Sequence, residues 1–132
     1  MKKAYYAVVI SVLALMIVCS MSFAEGIMPY ADSEFMSATA SLSDRKDVSF
    51  SCTTYETKSS IKVTGVWLQR KEDGKWKYER SLPAPSKEAT DTIIYGALMD
   101  YSDKIDTGTF RVGFIVDADG HSITRYSNER TF

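Results

Sequence analysis

SIKVTGVWLQRKEDGKWKYERSL, residues Ser60 to Leu82, alternates apolar and polar side chains on both sides of an Asp-Gly pair. Successive side chains of a strand point to opposite faces, so a period of two over this length marks a half-buried β-hairpin. The parity changes once. Ile61 and Val63 share one parity with Trp67, while Val66 and Leu68 have the other. Gly65 sits where the pattern switches, and a glycine inside a strand often marks a bulge. We read Ile61 and Val63 as inward, the chain as bulged at Gly65, and Val66 and Leu68 as inward again, which turns Trp67 outward. A two-residue loop at Asp73–Gly74 would set Trp76 opposite Lys71 and Tyr78 opposite Gln69. A three-residue loop, Glu72–Asp73–Gly74 with Gly74 left-handed, would set Trp76 opposite Arg70 and Tyr78 opposite Leu68. The second gathers Val66, Leu68, Trp76 and Tyr78 on one face and buries more apolar area, so it is the expected register.

The same rhythm extends in both directions. FMSATASLS (Phe35–Ser43) alternates Met36, Ala38, Ala40 and Leu42 with polar residues, and DVSFSCTT (Asp47–Thr54) alternates Val48, Phe50 and Cys52 with serines. DRKD between them reads as a turn. LPAPS (Leu82–Ser86) is a connection, because proline has no N–H to donate to a sheet. DTIIYGALMD (Asp91–Asp100) is the next strand region, and YSDKIDTG (Tyr101–Gly108) a loop. TFRVGFIV and SITRYS then flank the turn DADG, Asp117–Gly120. Phe110, Val112, Phe114 and Val116 form one inward row, and Ile123 is the core residue expected on the last strand. No ten-residue stretch after residue 34 has a helical period. Six to seven short strands with turn signals between them predict an all-β fold, an antiparallel two-sheet sandwich of about seven strands.

The chain begins MKKAYYAVVISVLALMIVCSMSFA. Lys2 and Lys3 form a basic start, Ala4 to Ala24 carries no charge, and Ser22 and Ala24 occupy the small-residue positions of a cleavage motif. Residues 1–24 are therefore expected to be a secretory signal peptide; retained, the same run is long enough to anchor the chain in a membrane. Residues 25–34, EGIMPYADSE, have no period and read as a flexible lead-in, with the sandwich domain at 35–132. Cleavage after Ala24 of the 132-residue chain would leave 108 residues, enough for one core. Loss of Lys2 and Lys3 from 16 basic residues leaves 14 against 17 acidic, a net charge of −3, which gives no electrostatic case for nucleic acid. Cleavage would also remove Cys19. Cys52 would then be alone, sharing a strand face with Val48 and Phe50, and is expected to be a buried apolar residue rather than a reactive thiol.

DTGTFRVGF (Asp106–Phe114) resembles the approach to the sixth strand of immunoglobulin-like and fibronectin type III-like sandwiches, where an Asp-x-Gly-x-aromatic pattern turns the corner from the fifth. FRVGFIVDADGHSITRYS resembles the last hairpin of a fibronectin type III domain, and VTGVWLQRKEDGKW its third and next strands. The resemblance covers Ser41 to Ser127 and implies that architecture. The chain departs from true immunoglobulins in two places: Cys52 faces Val112 instead of a second cysteine, and Phe110 stands at the corner-tyrosine position; Trp67 could pass as the buried third-strand tryptophan, but its parity turns it outward. A looser resemblance, carried by the signal segment, Leu68–Gln69…Gly74–Trp76 and GHSITRYS, is to short exported proteins of Gram-positive gut bacteria. It implies export and no particular activity.

Catalytic patterns are sparse. The single histidine, His121, follows the DADG turn, and its neighbours Asp119 and Ser122 alternate about the strand, so an exposed turn histidine is expected. Asp117, Asp119 and Gly120 suit a tight turn better than a calcium loop, which needs further oxygen ligands. Asp100, Asp103 and Asp106 read as a solvated loop. No phosphate loop, Cys–His metal spacing or G-x-S-x-G is present, and no cofactor or metal is implied. The candidate binding residues are Trp67, Gln69 and Lys71, which share one parity and would form an aromatic and polar strip suited to a sugar ring or a protein partner. The charges around it, Arg70 to Arg80, would protect a solvated hairpin edge. The expected function is an exported, non-catalytic domain that binds a protein or glycan outside the membrane, with no nucleic-acid partner. The alternative is a small secreted enzyme or enzyme inhibitor acting through its loops.

Overall fold

A computed structural model describes residues 32–132 of the chain. The expected signal peptide, and the lead-in up to residue 31, lie outside the described residues. From Asp32 onward the chain is all-β, with no helix among the described residues. Seven strands follow one another: β1 (Phe35–Leu42), β2 (Asp47–Glu72), β3 (Lys75–Leu82), β4 (Glu88–Asp100), β5 (Thr109–Ala118), β6 (His121–Tyr126) and β7 (Arg130–Thr131). All pairings are antiparallel and belong to one curled sheet.

The organising element is β2. The two stretches expected as separate strands run on as one strand of 26 residues. Its first part pairs with β1 from Val48 to Thr54 and with β4 from Asp47 to Lys62. Its second part pairs with β5 from Ile61 to Arg70 and with β3 from Val66 to Glu72. Two irregularities let it curl. The register against β4 jumps between Thr53 and Lys58, and the register against β5 shifts between Val63 and Gly65. Extra residues in a strand bend it and increase its twist. The second irregularity is the bulge expected at Gly65, and the parity follows: Ile61, Val63, Val66 and Leu68 are all buried.

The curl brings the inward rows together. Val48, Phe50 and Cys52 from β2 share a core with Phe110, Val112, Phe114 and Val116 from β5, and the Phe50 and Phe114 rings meet edge to face at 5.3 Å. Such pairs add about 0.5–1.5 kcal/mol beyond the area they bury. Ile123 is also buried, as expected. The Cys52 thiol is sealed in this core, and burial pushes its pKa up to about 11, so it stays protonated at neutral pH. Tyr101 is fully buried with its hydroxyl donating to Pro83 O at 2.6 Å, and burial raises its pKa.

Two further expectations are corrected. Met36 is exposed, and Phe35 takes the core position instead, because the β1–β2 register shifts between Phe35 and Ser37. The β2–β3 hairpin has the two-residue loop: Trp76 faces Lys71 and Tyr78 faces Gln69. Asp73 and Gly74 both have positive φ, 51° and 75°, the type I′ geometry that matches the right-handed twist of the flanking strands. Trp76 and Tyr78 are therefore turned away from the core. A later register shift between Leu68 and Gln69 leaves Glu79 as the extra residue and brings Leu82 into the core opposite Val66. The β5–β6 turn repeats the solution with Asp119 (49°) and Gly120 (89°).

Candidate binding face

Trp67, Gln69 and Lys71 lie on the outer face of the β3–β2–β5–β6 part of the sheet. Register places other side chains beside them. Across the strands the rows read Ser81–Trp67–Gly113–Tyr126, then Tyr78–Gln69–Arg111, then Trp76–Lys71. The hairpin register that removed Trp76 and Tyr78 from the core thus adds both to this face.

Gly113 makes the first row possible. A Cβ at residue 113 would stand only 2.5 Å from Trp67 Nε1 and Cζ2, far inside van der Waals contact. The indole therefore packs directly against the glycine backbone, in space that any side chain at 113 would fill. Tyr126 meets Trp67 edge-on, at 6.1 Å between centroids and 87° between planes. Arg111 is the centre of the next rows. Its guanidinium sits 4.0 Å from the Tyr126 centroid and 4.5 Å from that of Trp76, and its Nε donates to Gln69 Oε1 at 2.7 Å. Lys71 lies over Trp76 at 5.6 Å and pairs with Glu129 at 3.3 Å. Each exposed cation–π contact is worth about 0.5–1 kcal/mol; together they hold the aromatic rings in place.

Around this face the charges pair off. Arg70 donates to Glu79 through Nε at 3.0 Å, which holds the Glu79 carboxyl below its usual range and raises the arginine. Lys77 pairs with Glu72, and Arg80 with Asp106. β3 has a hydrogen-bonded neighbour on one side only, so this is the charged edge expected of the hairpin.

The remaining polar candidates are dispersed. Gly120 N donates to Asp117 Oδ1, and Asp119 accepts from Ser59 N and Ser60 N, so these carboxylates build the turn and tie it to β2. Asp100 accepts from Ser102 N, which lowers its pKa, and Asp106 faces Arg80. No group of three or more His, Cys, Asp or Glu side chains among the described residues is gathered to hold a metal ion. His121 has a partner that lies 89 residues away in sequence: its Nε2 is 3.2 Å from both carboxylate oxygens of Asp32. Asp32 also accepts from Glu34 N and Phe35 N, and these bonds lower its pKa, the Glu34 amide first. Ser122 turns its hydroxyl to Asp117 at 2.8 Å. The Asp32–His121 pair therefore fastens the start of β1 to the β5–β6 turn, beside the Glu34–Lys58 ion pair.

Arg111, Gly113, Tyr126, Trp76 and Tyr78 were not among the residues expected at this face. One signal was present: a glycine in the middle of FRVGFIV weakens a strand unless something must approach its backbone closely. No protein-family model, curated protein or solved structure matches this chain.

Proposed function

We propose that this protein is an exported, non-catalytic β-sandwich domain that binds a protein or glycan partner through the Trp67 face. The fold reading is of the fibronectin type III kind. It is supported by the division of β2, whose first part pairs with β1 and β4 and whose second part pairs with β3 and β5, and by the contact of Phe50 in the first part with Phe114 of β5, the partner of the second. Export rests on the reading of residues 1–24 as a cleavable signal segment.

The observation that carries the binding reading is the close seating of Trp67 on Gly113, with Arg111 held against both Trp76 and Tyr126. Folding does not need an aromatic layer on the outer face of a sheet, since the core is already closed beneath it. A partner gains from one, because rigid, half-exposed aromatic rings offer contact area at little further loss of rotamer freedom. Gln69 and Lys71 supply polar groups at its margin.

The test is a glycan and protein array probed with the purified exported protein, its N-terminus read by mass spectrometry. The expected result is a ligand whose signal falls in Trp67→Ala and a chain that begins at Glu25. Turnover in a hydrolase screen with no ligand on either array would overturn the non-catalytic reading.

A further inference from the structure

The outer face is not level. Where β2 bulges, a depression of about 420 Å³ opens between Trp67 and the point at which the chain leaves β3. Trp67, Tyr78, Ser81, Ile115 and the bulge residues Thr64 and Gly65 line it. Its size falls in the range of sites that hold small ligands. No Asp, Glu, Lys, Arg or His lines it, in a chain of which 25% is charged and beside a hairpin crowded with Lys, Arg and Glu.

We propose that this depression is a subsite for one uncharged sugar ring of a neutral glycan, with the Trp67 indole as its stacking platform. The proposal deepens the binding reading given above and rests on it. A pyranose ring has an apolar face of C–H groups and a rim of hydroxyls. The site has the matching division: the Trp67 indole and Ile115 for the face, and the hydroxyls of Thr64, Tyr78 and Ser81 for the rim. A carboxylate or ammonium placed here would lose water and find no counter-charge, which disfavours acidic sugars and charged peptide side chains. The platform is already set. Gly113 beneath the indole and Tyr126 against its edge fix the ring before any ligand arrives, so binding orders little that is not ordered already. Gly65 keeps the site open: the space beside it is bounded by Ile115 Cδ1 at 3.6 Å from where a Cβ would stand, and any longer side chain would project into the depression.

The chain has two tryptophans, so Trp76→Phe leaves Trp67 as the only indole reporter. This variant is titrated with the neutral oligosaccharides cellohexaose, maltohexaose and mannohexaose and with the acidic hexagalacturonate, with calorimetry on the unsubstituted chain as a second readout. The expected result is a saturable fluorescence shift with at least one neutral probe and at least about tenfold weaker binding of the acidic one, a difference of ~1.4 kcal/mol. Ser81→Arg, which places bulk and charge in the depression while leaving the core untouched, should weaken the neutral probe at least about tenfold. Tyr78→Ala, at a residue already 65% exposed, should weaken it severalfold. Leu98→Ser, on the other outer face, should leave it unchanged. Tighter binding of the acidic probe, or binding indifferent to Ser81→Arg, overturns the subsite while sparing the wider binding reading. The same holds if no neutral probe binds while a protein ligand is found on the array. Absence of every ligand overturns both.

Discussion

The curled sheet has two outer faces, and both expose large apolar side chains, yet they are built differently. On the β3–β2–β5–β6 face, Trp67, Trp76 and Tyr126 are fixed by a glycine, an arginine and one another. On the β1–β2–β4 face the rows are Ser37–Thr53–Ile94, Thr39–Ser51–Gly96 and Ser41–Ser49–Leu98. There Ile94 and Leu98, 62% and 67% exposed, project from β4 opposite the small hydroxyl residues Thr53 and Ser49. Scattered surface apolar residues are ordinary, whereas a locked aromatic cluster beside a depression is not. The contrast teaches that exposure alone does not mark a binding surface; what holds the exposed group in place does.

Matched glycine substitutions give the largest contrast. Gly113→Ala forces the Trp67 ring off its seat and should destabilise the domain by about 1–3 kcal/mol. Gly96→Ala, whose new Cβ would meet nothing nearer than Phe50 O at 4.0 Å, should change stability by under about 0.5 kcal/mol in either direction. Urea denaturation of both variants measures the difference, and equal effects would break the distinction between the faces.

Arg111→Ala comes next. It removes two ring contacts and the bond to Gln69, at a cost of about 1–2 kcal/mol. Arg111→Lys keeps the charge but loses the planar stacking, and should recover less than half of that in thermal melts.

A smaller effect separates the fastening of β1 from both faces. Asp32 has a lowered pKa in the folded chain. Its carboxylate therefore stabilises the fold above its ordinary pKa of 3.8, and this contribution is lost as pH falls through the lower folded value. Asp32→Asn should cost under about 1 kcal/mol at neutral pH, and the gap to the parent chain should close on acidification below about pH 4. A gap that widened with acid would contradict the assigned direction. The smallest effect is expected on the hydroxyl-rich face: Leu98→Ser and Ile94→Ser should each stay within about 0.5 kcal/mol of the parent in the same urea series.

The parts of the fold legible in the sequence were those governed by neighbouring residues. The inward rows of β2 and β5, the bulge at Gly65, the burial of Cys52 and the outward turn of Trp67 all follow from alternation within one strand. The hairpin register did not follow, because apolar area alone favours the three-residue loop. That criterion omitted the cation–π contacts that Arg111 and Lys71 offer Trp76 on the outside, and the preference of an Asp-Gly pair for a type I′ turn. Met36 failed for a related reason: an irregularity between strands shifted its parity, and one strand read alone does not reveal its partner's register.

The binding face divides along the same line. Trp67, Gln69 and Lys71 share a strand, so their common side was decided by the pleat alone. Gly113, Arg111 and Tyr126 reach that side only through pairing of β2 with β5 and of β5 with β6, and the His121–Asp32 contact spans 89 residues. Side-chain alternation is a local property of an extended chain, and within β2 and β5 the sequence by itself determined which residues face inward. Which outward residues become neighbours depends on strand register, and only the tertiary structure decided that, because cross-strand distances are set by hydrogen bonds between segments far apart in the chain.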